Sequence, residues 1–349
     1  MPVIATYFYS IASILITGYV LIISKGLVSP LLAAFLVALA LTPLVDKIET
    51  KISSRMLSTS LIVFLFIFIS LGVIAFFSSQ ITTLDFELAF WKIKINTVLD
   101  KSQMLISHLT GVTFAQQSNL LKDSIGTFIK SSTSIINQTL SFTTHFISSL
   151  LLFVISLFSF LYYRHFLVSF LYKVTAHPNH KKLKKILHKI QLVVHHYIIG
   201  LSLIVLTIAT LNTLGLLALG IENALLFGVL SAVLTIVPYV GIVIGALLPI
   251  LFAFSTKDSV WYPFGVLMLF MVVQFLEGNF LTPNIVGNKV SVNPLAAILG
   301  LLIGGMVLGI MGIIFAIPIL AITKVICDEI NPLKPIGYLI GNAPSTPFK

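Results

Sequence analysis

The sequence is short of charge. Of its 349 residues only 9% are Asp, Glu, Lys or Arg, against roughly 25% in a soluble domain. Set beside 58% hydrophobic residues, that scarcity excludes an ordinary soluble enzyme, a disordered chain and a nucleic-acid-binding protein. There is one cysteine, Cys327, so neither an internal disulfide nor a thiolate cluster can form. No GxxxxGK[ST] loop occurs, which excludes ATP-driven transport by this chain itself. GxSxG, HExxH and a hydrolase-like carboxylate pair are missing too, so the expectation is a non-enzyme with no metal and no cofactor.

What the sequence has is long apolar runs. Stretches without Asp, Glu, Lys or Arg cover 1–24, 26–45, 56–84, 131–163, 190–221, 223–256, 259–276 and 290–323. Each holds an apolar run near the about 20 residues that a membrane-crossing helix requires. Eight segments follow: Ala5–Ser24, Leu27–Val45, Leu61–Phe77, Phe146–Tyr163, Tyr197–Leu219, Ala224–Phe254, Trp261–Leu276 and Val292–Ile326. Runs such as LIVFLFIFISLGVIAFF (61–77) lack the alternation of barrel strands. The predicted fold is an all-α polytopic membrane protein. Residues 5–24 read as a retained first helix, because no positive region precedes the apolar run.

The organisation expected is segments one to three in 1–77, an extracytoplasmic segment 78–145 and segment four at 146–163. A basic loop follows at 164–196, then a core of segments five to eight at 197–326 and a tail at 327–349. With eight single crossings, 14 of the 21 Lys and Arg fall on one face, including Lys257 in the connector 255–260. Only Lys25 and Lys289 occupy short loops on the other. That asymmetry predicts a bacterial inner-membrane protein with both termini cytoplasmic. Apolar residues at Leu183, Ile186, Leu187, Ile190 and Val194 recur at helical spacing, predicting an amphipathic helix at the interface that runs into segment five. Its His and Lys residues read as a solvated or lipid-headgroup face rather than a metal site. The segment 78–145 keeps apolar residues at helical intervals, as in Trp91, Ile95, Val98 and Leu99, and reads as two amphipathic helices joined near Gly111.

Segments six and eight are too long. As straight helices, 223–256 and 290–323 would each reach about 50 Å, against a hydrocarbon core of about 30 Å. They must tilt, break or fold back. Break or hinge residues are available: Pro238, Gly241, Gly245 and Pro249 in the first, Gly304, Gly305, Gly309, Gly312 and Pro318 in the second, and Pro283 between them. The two also share a pattern. Asn223 precedes Gly241 by 18 residues and Asn293 precedes Gly312 by 19, and each glycine is followed by Pro-Ile-Leu. Paired, interrupted apolar segments point to a transport site, although tight packing through small residues would use the same sequence. The polar residues for such a path are Gln274, Glu277 and Asn279 at the end of segment seven, with Asn212 and Asn223. Glu277 suits proton or cation handling, or caps the break before Pro283. Asp46 is expected to pair with Lys47 or Arg55.

The stretches 221–249 and 272–322 resemble the autoinducer-2 exporter family of PerM-like permeases. The resemblance is carried by Pro238, Tyr239 and Gly241, then Gln274, Glu277, Asn279, Pro283 and Gly287. Pro294, Leu295, Gly304, Gly305, Gly309, Gly312 and Pro318 complete the series, with Tyr197, Gly200, Thr42, Pro43 and Asp46 upstream. Where many relatives carry proline after the glycine, this chain has Ile242. The resemblance implies eight membrane segments, cytoplasmic termini, export of small molecules and a homo-oligomer, for which a pentamer is the candidate. Among relatives it brings autoinducer-2 and sodium or lithium exchange for protons.

The reading expected is therefore a secondary transporter that exports a small polar solute, with an autoinducer-2-like signal as the family's suggestion. Its partners are the lipid bilayer, that solute or a cation and proton, and further copies of itself, with no nucleic acid. The rivals are a Na+(Li+)/H+ antiporter and a non-transporting membrane scaffold.

Overall fold

A computed structural model describes residues 3–82, 147–175, 180–238, 240–285 and 292–342. The readings of 78–145, apart from its first residues, and of Tyr239 and Gly287 lie outside the described residues. Among the described residues the chain is helical apart from short connections and one isolated bridge between Val292 and Gly341. Its helices are α1 (Val3–Ile23), α2 (Lys25–Ile52), α3 (Arg55–Thr82), α4 (Ile147–Tyr162), α5 (Arg164–Val174), α6 (His180–Ala218), α7 (Ala224–Leu234), α8 (Val240–Thr256), α9 (Trp261–Leu276), α10 (Pro294–Leu308), α11 (Ile310–Glu329) and α12 (Lys334–Ile340). α2, α3, α6, α9 with its extension to Ile285, and α11 are long and apolar enough to cross a bilayer. α4 and α5 pass the same test of length and composition only when joined, and the break between them bends the chain by 68°.

Two bundles form around α6. In the first, Ala34, Ala38 and Val45 of α2 meet Ile62 and Val63 of α3 and Leu157 and Leu161 of α4. Lipid tails are as apolar as these side chains, so association rests on close packing, which the alanines permit. In the second, Leu216 of α6, Phe227 of α7, Ala253 of α8 and Val266 and Phe270 of α9 form the core. The two join where α2 packs on α6, with His195 Nδ1 2.8 Å from the Ala40 carbonyl.

As expected, the amphipathic stretch after His180 runs without interruption into segment five. α6 has 39 residues and a length of about 58 Å, twice the hydrocarbon thickness. The helix is thus longer than one straight crossing requires, and its lysines are gathered in its first third. Lys189 and Lys185 there lie 2.5 and 3.8 Å from Glu329 at the end of α11.

Segments six and eight fold back. α7 and α8 form an antiparallel helical hairpin turning at 235–238. Phe227 packs against Phe252 with the rings tilted at 49° and their centroids 4.9 Å apart, and a β-carbon on Gly241 would strike the Leu234 carbonyl. α10 and α11 form a second hairpin that turns at Gly309, where φ is +66°. There Gly304 and Gly312 lie backbone to backbone, each closing the space a β-carbon would fill on the other. With 11, 17 and 15 residues, α7, α8 and α10 reach about 16, 26 and 22 Å, short of a full crossing.

This corrects the assignment of faces. A hairpin returns to the end where it started, and Lys257 lies 3.6 Å from Glu222. The connector 255–260 is thus at the same end as 219–223, opposite to the expectation from single crossings. At the other hairpin, Asn293 donates to the carbonyls of Leu339 at 2.6 Å and Gly341 at 2.9 Å. The start of α10 therefore sits beside α12, at the end that also holds Glu329, Lys185 and Lys189. The physical reason is simple: a charge count along the chain cannot separate one long crossing from two short limbs.

Candidate functional site

Residue by residue, α9 descends α6 in the antiparallel sense. Gly265 faces Leu219, Leu269 covers Gly215, and Val273 shares a core with Ile204 and Ile208. One turn further is Glu277. It does not end the helix, as the sequence suggested. The chain continues through a π-helical turn, Glu277–Leu281, into Thr282–Ile285. The Thr282 N–H donates to the Glu277 carbonyl, five residues back. That wider register explains why Pro283 makes no break here: its missing N–H falls where the ladder has already shifted. Leu281 and Ile285 pack on the core that holds Ile204 and Ile208. Glu277 therefore lies alongside the uncharged 190–221 stretch of α6, within the depth of the bundle.

The Glu277 carboxylate is held from two sides. Gln274 Nε2 donates to Oε2, and Thr282 Oγ1 donates to Oε1 at 3.2 Å. The group is half-buried. Single-turn π-bulges occur often at functional sites, and an ionisable residue inside a membrane helix is costly unless paired or used. Two neutral donors stabilise the carboxylate without neutralising it, so a cation or proton could still be taken up there. Asn279 does not join: its Nδ2 donates to the Phe275 carbonyl at 2.9 Å and the side chain is exposed.

Asn212 is elsewhere in the fold. It is 2% exposed, and its Nδ2 donates to Ser231 Oγ of α7 at 2.9 Å, while Ser231 Oγ donates to the Gly228 carbonyl at 3.0 Å. Asn212 Oδ1 has no partner among the described residues. Asn223 stands at the start of α7 with φ 55° and makes no side-chain cap. Its counterpart Asn293 does cap α10, accepting from the Ala296 N–H at 2.8 Å. The structure thus brings Gln274 and Glu277 together and leaves Asn279, Asn212 and Asn223 apart from them.

The hinge candidates divide as well. Pro238, Gly241 and Gly309 sit at the two turns. Gly245 packs its backbone on Ser231, and Gly304, Gly305 and Gly312 line the inner face of the second hairpin. Pro249 and Pro318 are inside α8 and α11, and both helices run through them. They are therefore not breaks: one lost hydrogen bond is tolerated because their neighbours pack on both sides. Both hairpins lean on the same long helix. α7 and α11 each pack on α6, and α11 also packs on α2.

Sequence reasoning missed Arg164. At the bend between α4 and α5, this guanidinium is 9% exposed. Its Nε donates to Asp46 Oδ1 at 3.0 Å, its Nη1 to the Leu161 carbonyl at 2.9 Å, and its Nη2 to Glu49. Glu49 also takes Arg55 Nε at 3.1 Å. So Asp46 pairs with Arg164 rather than with Lys47 or Arg55. Its partner is 118 positions away, and no spacing in the sequence signals it. Asp46, Glu49 and His165 converge closely enough to hold an ion, but the guanidinium already fills that role between the carboxylates.

The comparisons with known proteins agree with this architecture. A family model described as AI-2E family transporter matches residues 11–331. YueF of Bacillus subtilis (strain 168), a transport protein by name only, is 29% identical over 308 residues, covering 84% of this chain and 82% of its own. YrrI of the same organism is 36% identical over 129 residues, 37% of this chain and 36% of its own. The AI-2 transport protein TqsA of Escherichia coli (strain K12) is 21% identical over 337 residues, 94% of this chain and 95% of its own. With nearly its whole length matched, this multi-pass helical membrane protein belongs to the AI-2E transporter family.

Proposed function

We propose that the protein is a secondary transporter that exports a small polar solute across the bacterial inner membrane. The observation that carries this reading is Glu277, a carboxylate inside a membrane-depth helix, at a π-turn, held by Gln274 and Thr282 and in no salt bridge with another side chain among the described residues. Such a group can exchange a proton or a cation as the helix is exposed to one side or the other, which couples solute movement to a gradient. An autoinducer-2-like signal is the first solute to try, on the strength of TqsA's name and the full-length likeness to it. The Lys-rich end of α6 faces the cytoplasm in this reading, by the bias of basic residues. A homo-oligomer, with five copies as the first number to test, follows from the family resemblance.

The test is flux. Purified protein in vesicles loaded with labelled autoinducer-2, or with a panel of small polyols and sugars, should release at least one of them faster than empty vesicles. Glu277→Gln should abolish the gradient-driven part of that release. Absence of flux for the whole panel overturns export. Glu277 also favours a second reading, Na+(Li+)/H+ exchange. In that case an added sodium pulse moves internal pH in wild type and not in Glu277→Gln, with no solute release.

A further inference from the structure

α5 was not foreseen as a separate element. It begins where α4 ends, at a bend of 68°, and its sequence is RHFLVSFLYKV. His165, Ser169 and Lys173 recur every fourth residue and form one narrow polar stripe. The rest is apolar: Phe166, Phe170 and Val174 are 67%, 53% and 61% exposed, with Leu167 and Leu171 beside them. Among the described residues no other helix packs closely along its length; Arg164 at its start holds to α2, and Tyr172 has a contact of its own. An apolar face of this width does not stay in water, and it is too short to cross a bilayer.

Three observations identify what covers it. First, the bend is built and not loose: Arg164, buried against Asp46, Glu49 and the Leu161 carbonyl, fixes the first residue of α5 to α2 and α4. With α4 along the membrane normal, α5 then lies within about a quarter of a right angle of the bilayer plane, by the 68° bend. Second, exposed apolar residues recur on both sides of the bend, Leu151 and Ile155 on α4 and Phe166 and Phe170 on α5, and Tyr163 meets Phe166 edge to face across it, ring centroids 6.4 Å apart. Third, the junction carries Tyr162 and Tyr163 in edge contact, ring centroids 5.0 Å apart, the residue type enriched at the headgroup level.

We propose that α5 is an in-plane membrane anchor, with Phe166, Phe170 and Val174 buried at the boundary between headgroups and acyl chains and Lys173 at the phosphates. The physics is that of interfacial amphipathic helices, with the difference that Arg164 presets the angle.

The experiment places one spin label at a time at Phe166→Cys, Phe170→Cys and Lys173→Cys in the Cys327→Ala protein, reconstituted in vesicles of phosphatidylcholine with phosphatidylglycerol. Collision with oxygen, which partitions into lipid, is compared with collision with a water-soluble nickel chelate. The proposal expects oxygen to exceed nickel severalfold at 166 and 170, and the reverse at 173. High nickel access at all three places α5 in water and overturns it. Low access to both reagents at 166 and 170 means protein covers the face, as a second copy would, and also overturns it. Circular dichroism and elution as one species check that each labelled protein is folded.

Discussion

Asn212 on α6 and Ser231 on α7 are joined by a buried hydrogen bond of 2.9 Å, and the Ser231 hydroxyl in turn donates to the Gly228 carbonyl. This relay is the polar link between the long helix and the first hairpin, in a core otherwise made of Leu216, Phe227 and Val266. Bonds of this type between membrane helices average about 0.6 kcal/mol, with a ceiling near about 1.7. A double-mutant cycle of Asn212→Ala and Ser231→Ala should give a coupling inside that range, measured by unfolding in mixed micelles. A coupling of zero would show that the hairpin is held by packing alone.

The second hairpin depends on the absence of side chains. Gly304 and Gly312 face each other so closely that a β-carbon on either meets backbone. Gly312→Val should therefore destabilise the protein by more than the about 1–3 kcal/mol of ordinary overpacking, read as a lowered thermal midpoint in detergent. Gly72→Ala, where the same β-carbon meets open space, should leave the midpoint unchanged.

Arg164→Ala removes the partner of two carboxylates and opens the bend before α5. Breaking a buried pair costs about 3–5 kcal/mol. Asp46 is half exposed here, so the lower part of that range is expected. Arg164→Lys should not restore the loss, because one ammonium cannot serve Asp46, Glu49 and the Leu161 carbonyl in three directions. Chemical unfolding of the three proteins measures this directly.

Much of this was legible in the chain. The charge-free runs located the membrane helices, because a bilayer demands long apolar stretches and little else. The matched spacings Asn223 to Gly241 and Asn293 to Gly312 anticipated a repeated design, and both asparagines do start the first limb of a hairpin. What stayed hidden was three-dimensional. A proline reads as a break, but Pro249 and Pro318 sit inside helices, since whether a lost hydrogen bond is tolerated depends on neighbours. Glu277 reads as the end of segment seven, because a Gly-Asn pair and a proline follow it. Only the π-turn, a change of register with no sequence signature, carries the helix past them. Arg164 looked like one more positive charge in a basic loop until α2 brought Asp46 and Glu49 to it.

Asn293 does two things at once: it caps α10 through Ala296 and clasps the tail through Leu339 and Gly341. Asn293→Ala should cost about 1 kcal/mol for the cap and, separately, free α12. Hydrogen exchange should then accelerate across 334–341 with little change in α2 or α9. Acceleration spread evenly over the whole protein would mean that the clasp is part of the global fold and not a local latch.

α6 is one unbroken rod that touches both hairpins and carries its lysines at the end away from Asn212. Mechanically it is a lever. Asn212 lies about 46 Å from Lys181 along its axis, so a tilt of about 5° pivoting near Asn212 sweeps the lysine end through about 4 Å. A small motion at the hairpins is amplified at the far end, and a force applied at the far end reaches the hairpins multiplied by the same ratio of lever arms.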